Sequence, residues 1–239
     1  MIAEWQKGIV TRIAEATAHT RRYWIELPET ASFQFKAGQF VTLDLPIHEQ
    51  KNRRWRSYSI ASPPDGSNII ELVIVYVEGG AGTGYFFNEV KEGTELTLRG
   101  PHGMFVLPED LPEKELYLIC TGTGIAPFRS MLHYIYSHQV LYKQIHLIFG
   151  SRTSSDLLYR DEMEELAAAM PGFSYHPTLS REEWEGNKGY VHAIYERLCE
   201  HKPPAHFMLC GWRNMIDEAK EKLLEMGYTK KDIHLELYG

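Results

Sequence analysis

Apolar and polar positions alternate in short runs over residues 8–14, 22–27, 39–45, 56–61 and 69–77, each rich in Val, Ile, Tyr or Trp. Turn formers separate them: Pro28, Gly38, Pro46 and the stretch Pro63-Pro64-Asp65-Gly66. Several short strands with turns between them predict an antiparallel barrel or sandwich. One short helix fits residues 85–90. The texture changes after Leu107, where residues 107–115 hold two prolines among acidic residues and read as a linker.

Beyond the linker, apolar strands alternate with helical segments. Residues 115–120, 145–149, 173–177, 205–210 and 233–237 read as strands. Residues 126–137, 156–170, 193–200 and 215–226 read as helices. That rhythm is the signature of a parallel sheet covered on both faces. The expected architecture is therefore two-domain α/β: an N-terminal antiparallel β-barrel over residues 1–108, then a C-terminal doubly wound parallel α/β domain over 114–239.

Composition narrows the options further. The 239 residues carry 25 Lys+Arg against 32 Asp+Glu, a net charge of −7, which argues against a nucleic-acid surface. No apolar run approaches the ~18 residues of a membrane span, and the first residues lack a basic-then-apolar leader pattern. A soluble, cytoplasmic protein is expected. Cys120, Cys199 and Cys210 show no CxxC spacing and are one short of the set that usually holds an iron–sulfur cluster. No metal site is expected, and the oligomeric state is not legible.

Five motifs carry candidate chemistry. Thr121-Gly122-Thr123-Gly124-Ile125-Ala126-Pro127 joins a strand to a helix, where free backbone N–H groups attract phosphate and Pro127 suits the first turn; the alternative is a plain glycine turn. Arg56-Ser57-Tyr58-Ser59 offers a guanidinium fork, a flat ring and small hydroxyls, or is an ordinary edge strand. Gly79-Gly80-Ala81-Gly82-Thr83-Gly84 places Thr83 to cap a short helix, or is a hairpin loop. Gly100-Pro101-His102-Gly103 reads as a tight turn. Cys210-Gly211, four residues before Met215, sets a thiol at a strand end, facing a ligand or buried in the core.

Taken together and in this order, the five motifs resemble the ferredoxin–NADP+ reductase superfamily of flavoenzymes, over nearly the whole chain. The resemblance implies FAD on the barrel and NAD(P)H on the second domain. It places Tyr58 against the flavin ring, Arg56 on the FAD pyrophosphate with Ser57 in the same cofactor-binding set, and Ser59 near the flavin nitrogen that takes the hydride. Gly82 and Thr83 would bind the FAD phosphates, with Val75 in the same set. Thr121, Gly122, Thr123, Gly124 and Pro127 would hold the nicotinamide nucleotide. Cys210, Gly211 and Met215 would flank the nicotinamide, with Cys210 in a catalytic role. Glu236-Leu237-Tyr238 is similar to the Glu-x-Tyr terminus of plant-type members, whose aromatic covers the flavin; this chain adds Gly239. Glu236 is then either a proton-handling carboxylate or a surface charge.

The resemblance also implies where the adenosine half rests. Ser151-Arg152 and Ser180-Arg181 follow strands, and Ser180-Arg181-Glu182 with Lys188-Gly189-Tyr190 is similar to the Ser-Arg-Glu and basic-x-Tyr of plant-type members that grip a 2′-phosphate and stack adenine. Arg160 joins this set. NADP is expected, with NAD as the alternative because Glu182, Glu183 and Glu185 crowd the site. The implied activity is a FAD-dependent NAD(P)H oxidoreductase that passes electrons to an acidic carrier, ferredoxin or flavodoxin, or runs in reverse. A free-flavin reductase and a non-catalytic flavin- or nucleotide-binding subunit are the alternatives. Lys51, Arg53, Arg54 and Arg56 form a cationic run suited to an acidic partner, or a solvated loop.

Overall fold

The computed structural model describes residues 4–237. The chain divides into two units: the residues up to Val106 together with Arg129–Tyr134, and Leu107–Phe128 together with the residues from Ile135 onward. No helix among the described residues is long and apolar enough to cross a membrane.

The first unit contains β1 (Gln6–Thr17), β2 (Thr20–Glu26), β3 (Phe40–Asp44), β4 (Trp55–Ser59), β5 (Ile69–Val75), α1 (Ala81–Asn88) and β6 (Glu95–His102). The strands form one antiparallel sheet in the order β4-β3-β6-β1-β2-β5. Its two edges meet: Ile60 bridges Leu72, and Ala61 N–H donates to Glu71 O at 2.8 Å. The sheet thereby curls round so that its two edge strands meet at one end, in the manner of a barrel. Alternation along the strands sends Tyr23, Ile25, Val41, Leu43 and Leu98 inward, and each is fully buried. Phe86 of α1 plugs this core, stacked edge-on to Tyr23 at 5.0 Å. Burying such a ring contributes roughly 1.5–3 kcal/mol.

The second unit runs β7 (Glu115–Thr121), α2 (Ile125–His138), β8 (Ile145–Ser151), α3 (Arg160–Ala169), β9 (Phe173–Leu179), β10 (Asn187–Lys188), α4 (His192–Leu198), β11 (Ala205–Gly211), α5 (Arg213–Glu225) and β12 (Ile233–Leu237). The sheet is parallel throughout, in the order β10-β9-β8-β7-β11-β12. The chain starts in the middle at β7, works outward to β10, then returns to β11 on the other side of β7. The order reverses between β7 and β8 on one side and β11 on the other, and such a reversal is where sheets of this kind bind ligands.

The strand and helix pattern expected from the sequence is present, with four differences. Strand β6 stands where the sequence marks only the Gly100-Pro101-His102-Gly103 turn: it pairs with β1 over residues 95–98 and with β3 on either side of a register shift at Gly100-Pro101. β10 is two residues long and exists only by its pairing with β9. α1 begins at Ala81 rather than at residue 85, so Thr83 lies inside the first turn and Gly80 stands at the N-cap. α3 begins at Arg160 rather than at residue 156. A 3-10 turn at Ser154–Asp156, an extended Leu157 and Tyr159 at φ +55 come first.

Candidate functional site

In the barrel unit, β4 and the start of α1 come together. The Arg56 side chain lies across Gly82: a Cβ placed on that glycine would stand 3.1 Å from Arg56 Cγ and 3.2 Å from its Nε. A side chain at residue 82 would press on the guanidinium arm where it crosses the helix start. Arg56 Nη1 donates to Trp55 O at 2.7 Å and Arg53 O at 3.1 Å, which anchors the arm. The first-turn N–H groups of α1 have no intrahelical acceptor. A cation beside exposed N–H donors is a phosphate cradle. The Thr83 hydroxyl is turned back onto the loop, 3.2 Å from both Val77 O and Gly80 O, and it accepts Val77 N–H at 3.2 Å. Thr83 therefore fixes the loop ahead of α1 with its side chain.

Tyr58 is half-buried and meets Phe86 edge-on at 5.6 Å. Burial raises its hydroxyl pKa, so the ring presents a neutral phenol. Ser59 is 5% exposed. Ser57 points outward and pairs with Thr42 across the β3–β4 ladder at 3.1 Å. Val75 ends β5 half-buried. Beyond Ser59 the strand end is braced by a buried charge cluster. Glu71, 2% exposed, accepts from Arg22 Nε at 2.6 Å and from Arg129 Nη1 at 3.0 Å. Arg129 also donates to Ala61 O at 2.9 Å. The sequence gives no sign of this brace, since its members are spread from residue 22 to residue 129.

In the α/β unit, the Thr121–Gly124 turn and the Cys210-Gly211 pair interlock. A Cβ on Gly124 would stand 2.3 Å from Cys210 O, and a Cβ on Gly211, whose φ is +133, would stand 2.5 Å from Thr121 Oγ1. Each glycine is required by the other motif's backbone. Cys210 itself is fully buried, in register with Cys120 on one side and Glu236 on the other. Met215 is packed into the core cluster around Tyr117 and Phe207. Thr123 is half-buried at the turn, and Pro127 is buried in the first turn of α2. Trp212, which the sequence reading passed over, is 65% exposed directly after this floor. Its backbone N–H donates to Thr121 Oγ1 at 3.2 Å. An exposed aromatic immediately after Cys-Gly was the available signal.

The ends of β8 and β9 bring the second set together. Ser151 O accepts from both Ser180 N–H at 3.0 Å and Ser180 Oγ at 3.2 Å, and Arg181 N–H donates to Arg152 O at 3.0 Å. Arg152 and Arg181 are both exposed. Two of the three neighbouring acids have partners of their own. Glu182 accepts from Ser154, whose backbone N–H, followed by its hydroxyl, holds the carboxyl below the usual range. Glu183 pairs with Lys188. Arg160 is paired with Glu164 at 2.8 Å over the Trp184 ring, which turns it to its own helix. Tyr190 is 73% exposed just past β10. In the cationic run, Lys51 and Arg53 are exposed, whereas Arg54 is tied to Asp44 at 2.7 Å. Tyr238 lies outside the described residues.

Both cradles fit a dinucleotide. The barrel offers a cation, a helix start and a flat phenol; the α/β unit offers a glycine turn at the reversal point and two arginines at the strand ends.

Comparison with known proteins agrees with this division. An oxidoreductase FAD-binding domain model matches residues 7–107 and an oxidoreductase NAD-binding domain model matches residues 118–221. The chain is 37% identical over 227 residues to ferredoxin–NADP reductase B of Sorangium cellulosum, covering 91% of each. It is 32% identical over 245 residues to the reductase component of phenol 2-monooxygenase from Pseudomonas sp., covering 97% of this chain and 65% of that one, under two thirds of the relative's length. Among solved structures, a ferredoxin–NADP+ reductase from Neisseria gonorrhoeae with bound FAD and NADP superposes with a TM-score of 0.83 at 25% identity, covering 99% of this chain and all of the other.

Proposed function

Because the chain belongs to the ferredoxin–NADP reductase family, as a flavoprotein oxidoreductase that binds FAD and NAD(P), we propose that it oxidises NADPH and delivers electrons to an acidic protein carrier. The observation that carries this reading is the strand-end pair Arg152 and Arg181, exposed and joined through their backbones, with Glu182 and Glu183 engaged by Ser154 and Lys188. A 2′-phosphate needs such a cationic pair.

FAD, when bound, accepts electrons as a hydride and releases them one at a time. The protein's part is to hold and orient. Arg56 and the start of α1 would bind the FAD pyrophosphate, and the Tyr58 ring would lie flat against the isoalloxazine. The Ser59 hydroxyl, held at the barrel's closing strand, would donate a hydrogen bond near the reacting flavin nitrogen. The Thr121–Gly124 turn would take the NADPH pyrophosphate on its backbone N–H groups. Tyr190 would stack on the adenine, and Arg152 with Arg181 would grip the 2′-phosphate.

The carrier's acidity follows from Lys51 and Arg53, both exposed immediately before the flavin strand on a protein of net charge −7. Ferredoxin-type carriers and oxygenase components are the acceptor classes attached to the relatives' names. Anaerobic stopped-flow mixing of the yellow holoprotein with NADPH and with NADH tests the reading. The flavin absorbance should bleach faster and at lower concentration with NADPH. Equal rates, or preference for NADH, would refute the NADPH assignment. Flavin lost on gel filtration would favour a free-flavin reductase instead.

A further inference from the structure

A carboxylate bridges the two loops that carry the strand-end arginines. Glu182 directly follows Arg181. Its Oε2 accepts Ser154 N–H at 2.7 Å and its Oε1 accepts Ser154 Oγ at 2.8 Å. Ser154 opens the 3-10 turn Ser154–Asp156, two residues after Arg152. This pair of bonds ties the loop after β8 to the loop after β9 across 28 residues of sequence. Beneath it, the backbone bonds Ser180–Ser151 and Arg181–Arg152 run between the same two loops. Thr153 Oγ1 closes the first loop onto Asp156 at 2.7 Å.

We infer that Glu182 is a positioning residue for the 2′-phosphate: its clamp on Ser154 holds Arg152 and Arg181 as one phosphate-binding pair. The inference rests on the NADPH reading above. An acid at this point would ordinarily repel a phosphate. Here both its oxygens are turned to Ser154, one of them onto a backbone N–H, so its charge meets the loop's donors. Two exposed arginines on independent loops would each lose rotamer freedom on binding; two on a clamped pair of loops need only order their side chains. A negative residue thus supports an anion site by fixing its cations.

The test uses the FAD-loaded protein and two fragments that differ only in the 2′-phosphate, adenosine 2′,5′-bisphosphate and AMP, titrated calorimetrically. The wild type should bind the bisphosphate more tightly than AMP. Glu182→Ala should weaken the bisphosphate about tenfold, the effect of losing a backbone cap, and leave AMP binding nearly unchanged. Glu182→Gln, whose amide oxygen still accepts Ser154 N–H, should keep most of the preference. Amide hydrogen exchange at Ser154 should quicken in Glu182→Ala and stay slow in Glu182→Gln. Ser154→Ala, which removes only the hydroxyl bond, should show a smaller loss. Tighter bisphosphate binding in both Glu182 variants would identify a merely repelling charge and overturn the proposal, as would equal weakening of the two fragments. A wild type that does not discriminate would bring down the NADPH reading and the clamp's role with it. Discrimination that survives Glu182→Ala would overturn the clamp alone.

Discussion

The two nucleotide cradles are built differently. In the barrel, the side chains that would meet FAD are part of the packing: Arg56 lies on Gly82, Tyr58 abuts Phe86, and Ser59 is 5% exposed beside the Arg22–Glu71–Arg129 cluster. In the α/β unit, the glycine turn is tightly interlocked, but the arms beyond it stand in solvent: Arg152, Arg181 and Tyr190 are all exposed. A cradle whose rotamers are fixed by the core loses little entropy on binding and suits a cofactor that stays. A cradle of exposed arms on clamped loops gives up part of its binding energy to order those arms, and suits a cosubstrate that arrives and leaves each turnover.

The comparison breaks most sharply at the glycine interlock. Gly124→Ala would drive a Cβ to 2.3 Å from Cys210 O, a backbone atom that cannot swing aside. The cost should reach about 3 kcal/mol or more. Calorimetric unfolding should show the α/β transition falling by several degrees, with NADPH binding lost and FAD still retained by the barrel. Simultaneous loss of FAD would show that the two cradles do not respond separately. Next in size is Arg56→Ala. Charge-assisted bonds to phosphate contribute roughly 1.5–3 kcal/mol, so FAD affinity should drop about tenfold to a hundredfold, read as flavin content after dialysis. Full retention of flavin would remove Arg56 from the cradle. On the solvent-exposed side, Arg181→Ala should raise the Michaelis constant for NADPH about tenfold and hardly move that for NADH; parallel changes in both would mean Arg181 does not touch the 2′-phosphate.

What the sequence revealed follows the same divide between local and distant causes. The strands were legible because alternation at Tyr23, Ile25, Val41 and Leu43 is a local pattern that one buried face imposes. The Arg56–Tyr58, Thr121–Gly124 and Cys210-Gly211 motifs were legible because each is contiguous. β6 was not, because Gly100-Pro101 argues locally for a turn, and the strand is made by distant partners, β1 over residues 95–98 and β3 on either side of a register shift at Gly100-Pro101. The onset of α1 was hidden because Gly80, Gly82 and Gly84 have poor helix propensity. The helix is held there by Thr83 bonding back to Val77 and by Phe86 in the core. The Glu182–Ser154 clamp and the Glu71 cluster join residues far apart in the chain, so no window of sequence contains them. One joins the loops that carry Arg152 and Arg181, and the other braces the chain just past β4.

The smallest expected effect separates the two units by acid. Five histidines are held below their ordinary pKa, and four of them, His146, His176, His192 and His234, belong to the α/β unit. His146 Nδ1 and His176 Nε2 lie 3.2 Å apart across β8 and β9, close enough for one neutral ring to donate to the other. Burial, with His146 and Arg197 adding like charge, pushes His176 down to about 4. In the unfolded chain the same ring protonates near its ordinary value of about 6.5. Between those values the unfolded state binds the proton and the folded state does not, so stability falls as pH falls. The contribution is whole above about 6.5 and gone below about 4. Because His176 is only partly buried, the loss should be about 1 kcal/mol for this ring, a few degrees in the α/β transition. Unfolding scans at pH 7 and pH 4.5 should show that transition dropping more than the barrel's. In His176→Gln, which cannot take up the proton, the extra drop should shrink. An unchanged pH profile in that variant would place the acid sensitivity on other groups and remove this difference between the two units.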